Sequence, residues 1–366
     1  MKKNRISLFL ILIYLLSMAV TNAFALNNDE VMSQHIKEAD GTSGQDTNIG
    51  SGVKTGHIQN GAITSSKIGF YRKVVVVALS GGNFTSPVNA VNSITDASAT
   101  NPYLVKIMPG VYNIGTNSVQ MKEYVDIEGS GETVTKITGN INSAYSGVVN
   151  GASNAEIRSL TVESTGGGGT DPVVIAINND HASTKITDIT VTNSGGSITY
   201  GVYITNASPI MTNVTINVFG VDNNRGIYNQ NFSSPVMTNV KITASGGVNN
   251  AGIYNYQFCS PTMTNVTINV SGASWNYGVV DWASSSTVMT NSTVTVSGNN
   301  SYGIYGQYTY STKIDHSVIT ASTRTIANDS SSTTLIGNTK LDGGTILGAV
   351  KCVGVYDGNY NPLTCP

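Results

Sequence analysis

Aromatic rings beside amide side chains return at fixed spacing through the middle of this chain. Tyr203, Tyr228, Tyr254 and Tyr305 each follow a Gly-Val or Gly-Ile pair. Two residues further on stand Thr205, Gln230, Tyr256, Trp282 and Gln307. If the Ile or Val points inward on a strand, alternation turns both sets outward. Ring faces with neighbouring amides suit sugar rings. Tyr228, Tyr254, Tyr256 and Trp282, with Asp281 counted among the contacts, therefore form a candidate carbohydrate-binding strip. The same rings would also serve as an aromatic ladder that only protects a sheet face.

Other chemistry is harder to assemble. Acid–base work on a sugar needs two carboxylates on neighbouring turns. The acids of the regular region, Asp188, Asp222 and Asp281, fall in different registers. His35, His57, His181 and His316 are scattered, no metal-ligand cluster is legible, and no cofactor motif is present. Cys259 shares its register with Ser233, Ser285 and Ser311, which reads as a small buried stack position.

The elements that would carry the strip follow from a repeat. Ser208-Pro-Ile-Met, Ser234-Pro-Val-Met, Ser260-Pro-Thr-Met and Ser286-Thr-Val-Met place Met211, Met237, Met263 and Met289 at steps of 26 residues. A fixed period of this length describes stacked units, each burying its apolar face on its neighbours. Charged residues make up 11% of the chain, against a typical ~25%, while Gly, Asn, Ser, Thr and Val abound. Each repeat reads as three short strands, and parallel stacking gives a right-handed parallel β-helix of about ten turns. Asn213, Asn239, Asn265 and Asn291 then superpose at one corner, with Asp188 and His316 in the same register. Asn tolerates a left-handed backbone and can pass amide hydrogen bonds along such a ladder.

The body begins with Val74-Val-Val-Val-Ala-Leu as a buried strand. Thr85 or Ser86 followed by Pro87 predicts a short helix with Val88, Val91 and Ile94 on its apolar face, capping the open end of the stack. Gly82-Asn83-Phe84-Thr85, Pro109-Gly110-Val111-Tyr112, Gly129-Ser130-Gly131 and Thr135-Lys136-Ile137-Thr138-Gly139 follow one another. With these motifs, Val75 to Gly139 resembles the N-terminal turns of pectinesterases. The resemblance implies the pectin-lyase type of β-helix. Pectinesterases use catalytic Asp, Arg and Gln residues in Gly-Thr-x-Asp-Phe-Ile-Phe-Gly, Gln-Ala and Leu-Gly-Arg-Pro-Trp motifs, and none of these occurs here. Between Gly139 and Ser311 the only arginines are Arg158 and Arg225, and neither has an aromatic or Gly-Arg-Pro context in sequence.

The ends read differently. Lys2, Lys3 and Arg5 precede an apolar run to Val20, and Ala23-Phe24-Ala25 has a cleavage-site pattern, so residues 1–25 are expected to be a signal peptide and the protein secreted or held at the cell surface. Its removal leaves no stable membrane span and takes the formal charge from −2 to −5 by loss of those three cations, which disfavours nucleic acid as a partner. Residues 26–48 read as a polar linker. In residues 49–71, Val53, Ile58, Ile63 and Ile68 recur every five residues. This segment is similar to stalk repeats of bacterial surface proteins and phage fibres, which implies a homotrimer through it. The β-helix is expected over 72–355 and a tail over 356–366, closed by a Cys352–Cys365 disulfide.

The expected architecture is thus all-β, a parallel β-helix with an N-terminal helical cap. The first functional expectation is a non-catalytic exported scaffold whose long face meets polysaccharide or a cell-surface glycan. The alternatives are a carbohydrate-active esterase or lyase and a trimeric surface-fibre component.

Overall fold

Each repeat becomes one turn of a parallel β-helix. The computed structural model describes residues 71–166, 172–309 and 311–365. The expected signal peptide, linker and stalk, Tyr71 apart, lie outside the described residues. The described strands join in a 27-stranded sheet that winds through about nine turns. Every strand pairs in parallel with its counterparts one turn away, so equivalent residues stack directly. Met211, Met237, Met263 and Met289 form one interior row. Ile216, Ile242, Ile268 and Val294 form a second, and Ile227, Ile253, Val279 and Ile304 a third. These residues are between 0% and 1% exposed, and burial of each such side chain contributes about 1.5–3 kcal/mol.

Three faces alternate around each turn. The broad face holds Asn223–Gln230, Asn249–Tyr256, Trp275–Trp282 and Ser301–Gln307. A turn leads to the narrow face of Val236–Thr238, Thr262–Thr264 and Val288–Thr290. One corner residue then begins the third face, as in Lys241–Gly246 and Thr267–Ser271. The corner residues Asp188, Asn213, Asn239, Asn265, Asn291 and His316 all have φ between 46° and 56°. The Asn213 amide donates to Asp188, Asn239 to Asn213, and Asn265 to Asn239, at 2.9–3.2 Å. A left-handed residue bends the chain sharply, and the amide chain satisfies its side chain without water.

The broad face has one irregularity that decides what it displays. Gly226 and Ile227 both turn inward, and Gly226 has no register partner between the Arg225–Ala251 and Ile227–Ile253 pairs. Strict alternation is broken there, so Arg225 and Tyr228 both face out. Gly201, Gly252, Gly278 and Gly303 repeat the arrangement. A Cβ on Gly252 would lie 2.2 Å from Ile268 Cγ2 and 2.7 Å from the Gly278 carbonyl oxygen.

At the N-terminal end, helix α1 (Pro87–Ser93) follows the first strand, Lys73–Val77. Pro87 opens it, Ser86 caps it by accepting from the Asn89 N–H at 3.5 Å, and Lys122 Nζ donates to the carbonyls of Ile94 and Asn92 at its far end. Ala90, Val91 and Ile94 seal the first turn. At the other end the tail folds back over the last strands, where Tyr356 bridges to Lys340 and Pro362 and a disulfide joins Cys352 to Cys365.

Candidate functional site

The outward residues of the broad face make one continuous aromatic surface. Tyr200, Arg225, Ala251, Tyr277, Tyr302 and Arg324 form one row. Tyr203, Tyr228, Tyr254, Val280 and Tyr305 form the next, and Thr205, Gln230, Tyr256, Trp282 and Gln307 the third. Rings touch along and between rows. Tyr200 stacks on Tyr228 with centroids 4.9 Å apart, and Tyr277 on Tyr302 at 5.2 Å. Tyr256 and Trp282 meet edge to face at 6.1 Å, so they form a ridge rather than a flat shelf. The larger rings lean over Ala251 and Val280, which are 3% and 2% exposed.

Arg225 stands in the middle of this surface. Its guanidinium carbon lies 4.2 Å from the Tyr254 ring centroid, 4.7 Å from Tyr228 and 5.5 Å from Tyr200. It donates to the Tyr200 hydroxyl at 3.3 Å. Among the described residues no carboxylate lies within ion-pair distance of it. The rings around Arg225 come from neighbouring turns and are not its neighbours in sequence. Reading outward from Ile227 by strict alternation places Arg225 inside, and the inward pair at Gly226–Ile227 reverses that. The residues preceding four of the five inward glycines (Tyr200, Arg225, Tyr277 and Tyr302, with Ala251 the exception) were the legible signal.

Burial raises the hydroxyl pKa values of six tyrosines of the face. That of Tyr254 is pushed up to about 12, with the Arg225 charge pulling the other way. Tyr228, Tyr277, Tyr200, Tyr203 and Tyr305 are raised as well, burial being the largest cause for each. The rings therefore act at neutral pH as uncharged donors and apolar faces. Gln230 and Gln307 accept from the Tyr203 and Tyr305 hydroxyls at 3.1 and 3.4 Å.

Asp281 does not belong to this surface. It is 0% exposed and points into the helix. Its carboxylate accepts from the Asn255 amide at 2.7 Å, from the Thr287 N–H at 3.0 Å and the Thr287 hydroxyl at 2.8 Å, and from the Thr312 hydroxyl. Asp281 continues an interior ladder in which Asn229 donates to Asn255 at 2.7 Å. Lying between two outward residues, Val280 and Trp282, it must point inward, so it cannot touch a glycan.

A second polar cluster was not legible in sequence. Arg158 pairs with Glu128 at 2.6 Å and Glu156 at 2.9 Å, and lies 3.6 Å from Asp126. Tyr71 donates to Asp126 and accepts from Arg158, its ring centroid 5.8 Å from the guanidinium. Lys106 and Lys185 pair with Glu128 and Glu156. Burial pulls these two glutamates up, but the hydrogen bonds from Lys106 and Arg158 to Glu128, and from Thr187 and Lys185 to Glu156, lower both. Held ionised, neither offers a proton near neutral pH. Glu128 lies 30 residues before Arg158, on the preceding turn, and only Glu156, two residues away on the same strand, is local to it.

His316 and His181 sit at exposed corners, each against the preceding aspartate. Cys259 is buried, and burial pushes its thiol up to about 11, away from nucleophilic use. No group of three or more His, Cys, Asp or Glu side chains converges to hold a metal among the described residues.

Set beside solved structures, the chain is similar to several carbohydrate-active proteins. The A-module of a mannuronan C-5 epimerase from Azotobacter vinelandii is 17% identical over 74% of this chain and 84% of that one, with a TM-score of 0.38. A pectin methylesterase from Erwinia chrysanthemi is 15% identical, covering 79% and 81%, with a TM-score of 0.37. A pectin methylesterase variant in complex with a hexasaccharide is 12% identical, covering 80% and 91%, with a TM-score of 0.42. All are parallel β-helix folds. No family model and no curated protein matches the sequence. At these identities and TM-scores, no activity and no substrate passes from them to this chain.

Proposed function

We propose that this chain is an exported, non-catalytic scaffold that binds polysaccharide along the broad face. One observation carries the reading: rings from three adjacent outward rows touch across successive turns, with the Arg225 guanidinium among them and no carboxylate within ion-pair distance of it among the described residues. Sugar rings present C–H faces that pack on aromatic rings and hydroxyls that pair with amides and phenols. A row of such contacts at one strand spacing, about 4.8 Å, offers an extended chain many weak contacts rather than one deep pocket. Replacing Tyr256 and Trp282 together with Ala tests it by electrophoresis through gels containing pectin, alginate, xylan or β-glucan. Retardation of the parent protein in at least one gel, lost in the double variant at unchanged Tm, is the expected result. Equal retardation of both proteins would sink the reading.

A second reading, an enzyme acting on polysaccharide, draws on the Arg158 cluster, where three carboxylates meet a cation. Release of methanol or unsaturated sugars from those polysaccharides, abolished by Glu128→Gln, would favour it.

A further inference from the structure

Two phenylalanines stand at left-handed turn positions, where this fold uses Asn more often than any other non-glycine residue. The turns after three successive broad-face strands contain two consecutive left-handed residues: Asn231 and Phe232, then Gln257 and Phe258, then Ala283 and Ser284, with φ between 51° and 65°, whereas the turn after Ser301–Gln307 has Tyr308 in this conformation, at 54°. The turn one step earlier has only Asn206 in this conformation, because it is one residue shorter. A bulky residue held left-handed costs roughly 1–3 kcal/mol. Asn adopts it more readily, and the chain uses Asn for that purpose at the corner from Asn213 to Asn291 and at Asn206 and Asn231. Phe232 and Phe258 nonetheless take it in successive turns, 67% and 47% exposed. Their rings are stacked, 5.0 Å apart and 5° from parallel.

Folding gains less from this pair than from a core ring, since 67% of Phe232 and 47% of Phe258 stay in water. The stack also ends abruptly. Asn206 lies one turn before Phe232, and Ser284 one turn after Phe258, so no further ring continues it at either end. The ring planes lie across the stacking direction, which leaves the outer face of each ring open. Polar residues occupy the neighbouring turn positions: Asn206 and Asn231, whose amides both donate to Thr205 Oγ1 at 3.4 Å, and Ser284 one turn after Phe258. The ledge begins two residues beyond Gln230 and Tyr256 on the same strands, so it continues the aromatic face around its edge.

We propose that the Phe232–Phe258 ledge is a sugar-stacking subsite, where a pyranose ring packs its C–H face on an open phenyl face and pairs its hydroxyls with the flanking amides. This rests on the reading of the broad face as a polysaccharide-binding surface. The exposed Ile210 and Val236 lie on the adjoining narrow face, so a second copy of this chain is the rival occupant.

The test uses Phe232→Asn with Phe258→Asn. Asn suits the left-handed backbone, so the turns keep their shape and Tm is expected to hold or rise. Retardation in the polysaccharide gel that retains the parent protein is expected to fall by about tenfold in apparent affinity. Retardation within twofold of the parent, while Tyr256→Ala with Trp282→Ala abolishes it, overturns the ledge and leaves the broad-face reading standing. A parent protein retained by none of the four polysaccharides sinks the broad-face reading, and the ledge with it. Sedimentation equilibrium of parent and variant supplies the other arm: a dimer that vanishes in the variant overturns the proposal in favour of self-association.

Discussion

The guanidinium of Arg225 lies 4.2 Å from the centre of the Tyr254 ring, one turn further along the helix. Ala251, its own register neighbour, leaves the space through which the side chain crosses. A cation over a half-buried ring contributes about 0.5–2 kcal/mol. Arg225→Gln is expected to lower stability by about 1–2 kcal/mol, and Arg225→Lys by less, since an ammonium keeps the charge but loses the planar contact. Urea denaturation of the three proteins checks this, and equal midpoints would remove the cation–ring contact from the account.

Gly252 faces inward where a Cβ would meet Ile268 and a neighbouring carbonyl. Gly252→Ala is expected to cost about 1–3 kcal/mol through overpacking. Gly115→Ala is the informative contrast: its Cβ would meet nothing within 4 Å, and only its φ of 61° opposes the change. A thermal melt ranking Gly115→Ala as the more harmful would contradict the packing described for the glycine row.

Asp281 accepts from the Thr287 backbone N–H, a donor that cannot reverse, and from the Asn255 amide, whose oxygen is already engaged by Asn229. Asp281→Asn has nearly the same shape but turns one accepting oxygen into an NH₂ that faces a donor. Leaving a buried donor unsatisfied costs about 1–3 kcal/mol. Circular dichroism melts of the variant are expected to drop accordingly, whereas an unchanged Tm would mean that the carboxylate is not needed as a double acceptor.

Alkaline pH acts on the tyrosine face. Its hydroxyls ionise in the unfolded chain near 10.0, while burial raises them in the folded protein, Tyr254 to about 12. Between those values the unfolded state binds fewer protons, so stability falls as pH rises. It is expected to be insensitive to this effect below pH 10 and to decline from there towards pH 12. Melts across that range, followed with tyrosinate absorbance, test the sign; a Tm that rose over the window would refute it.

The fold was legible because a strict 26-residue period leaves few alternatives to stacking. The Met row and the Asn corner needed only counting. The site was less legible wherever the backbone departs from plain alternation. At Gly226 two inward residues in succession turn Arg225 outward, and at Asn231–Phe232 two left-handed residues present a ring that period-two reasoning cannot place. Arg158 meets Glu156 two residues away on its own strand, but Glu128 and Asp126 become its neighbours only once the register between turns is known. Asp281 shows the converse: alternation itself places it inside, since both of its sequence neighbours face out.

Exact stacking of equivalent residues has an evolutionary corollary. Each turn touches only the turn before and the turn after, and the seams between turns are nearly interchangeable. A tandem duplication or deletion of 26 codons anywhere between Met211 and Met289 would preserve every row, adding or removing one span of face while leaving both capped ends intact. The reach of this surface is therefore a heritable dimension that recombination can adjust in whole steps, without any point substitution.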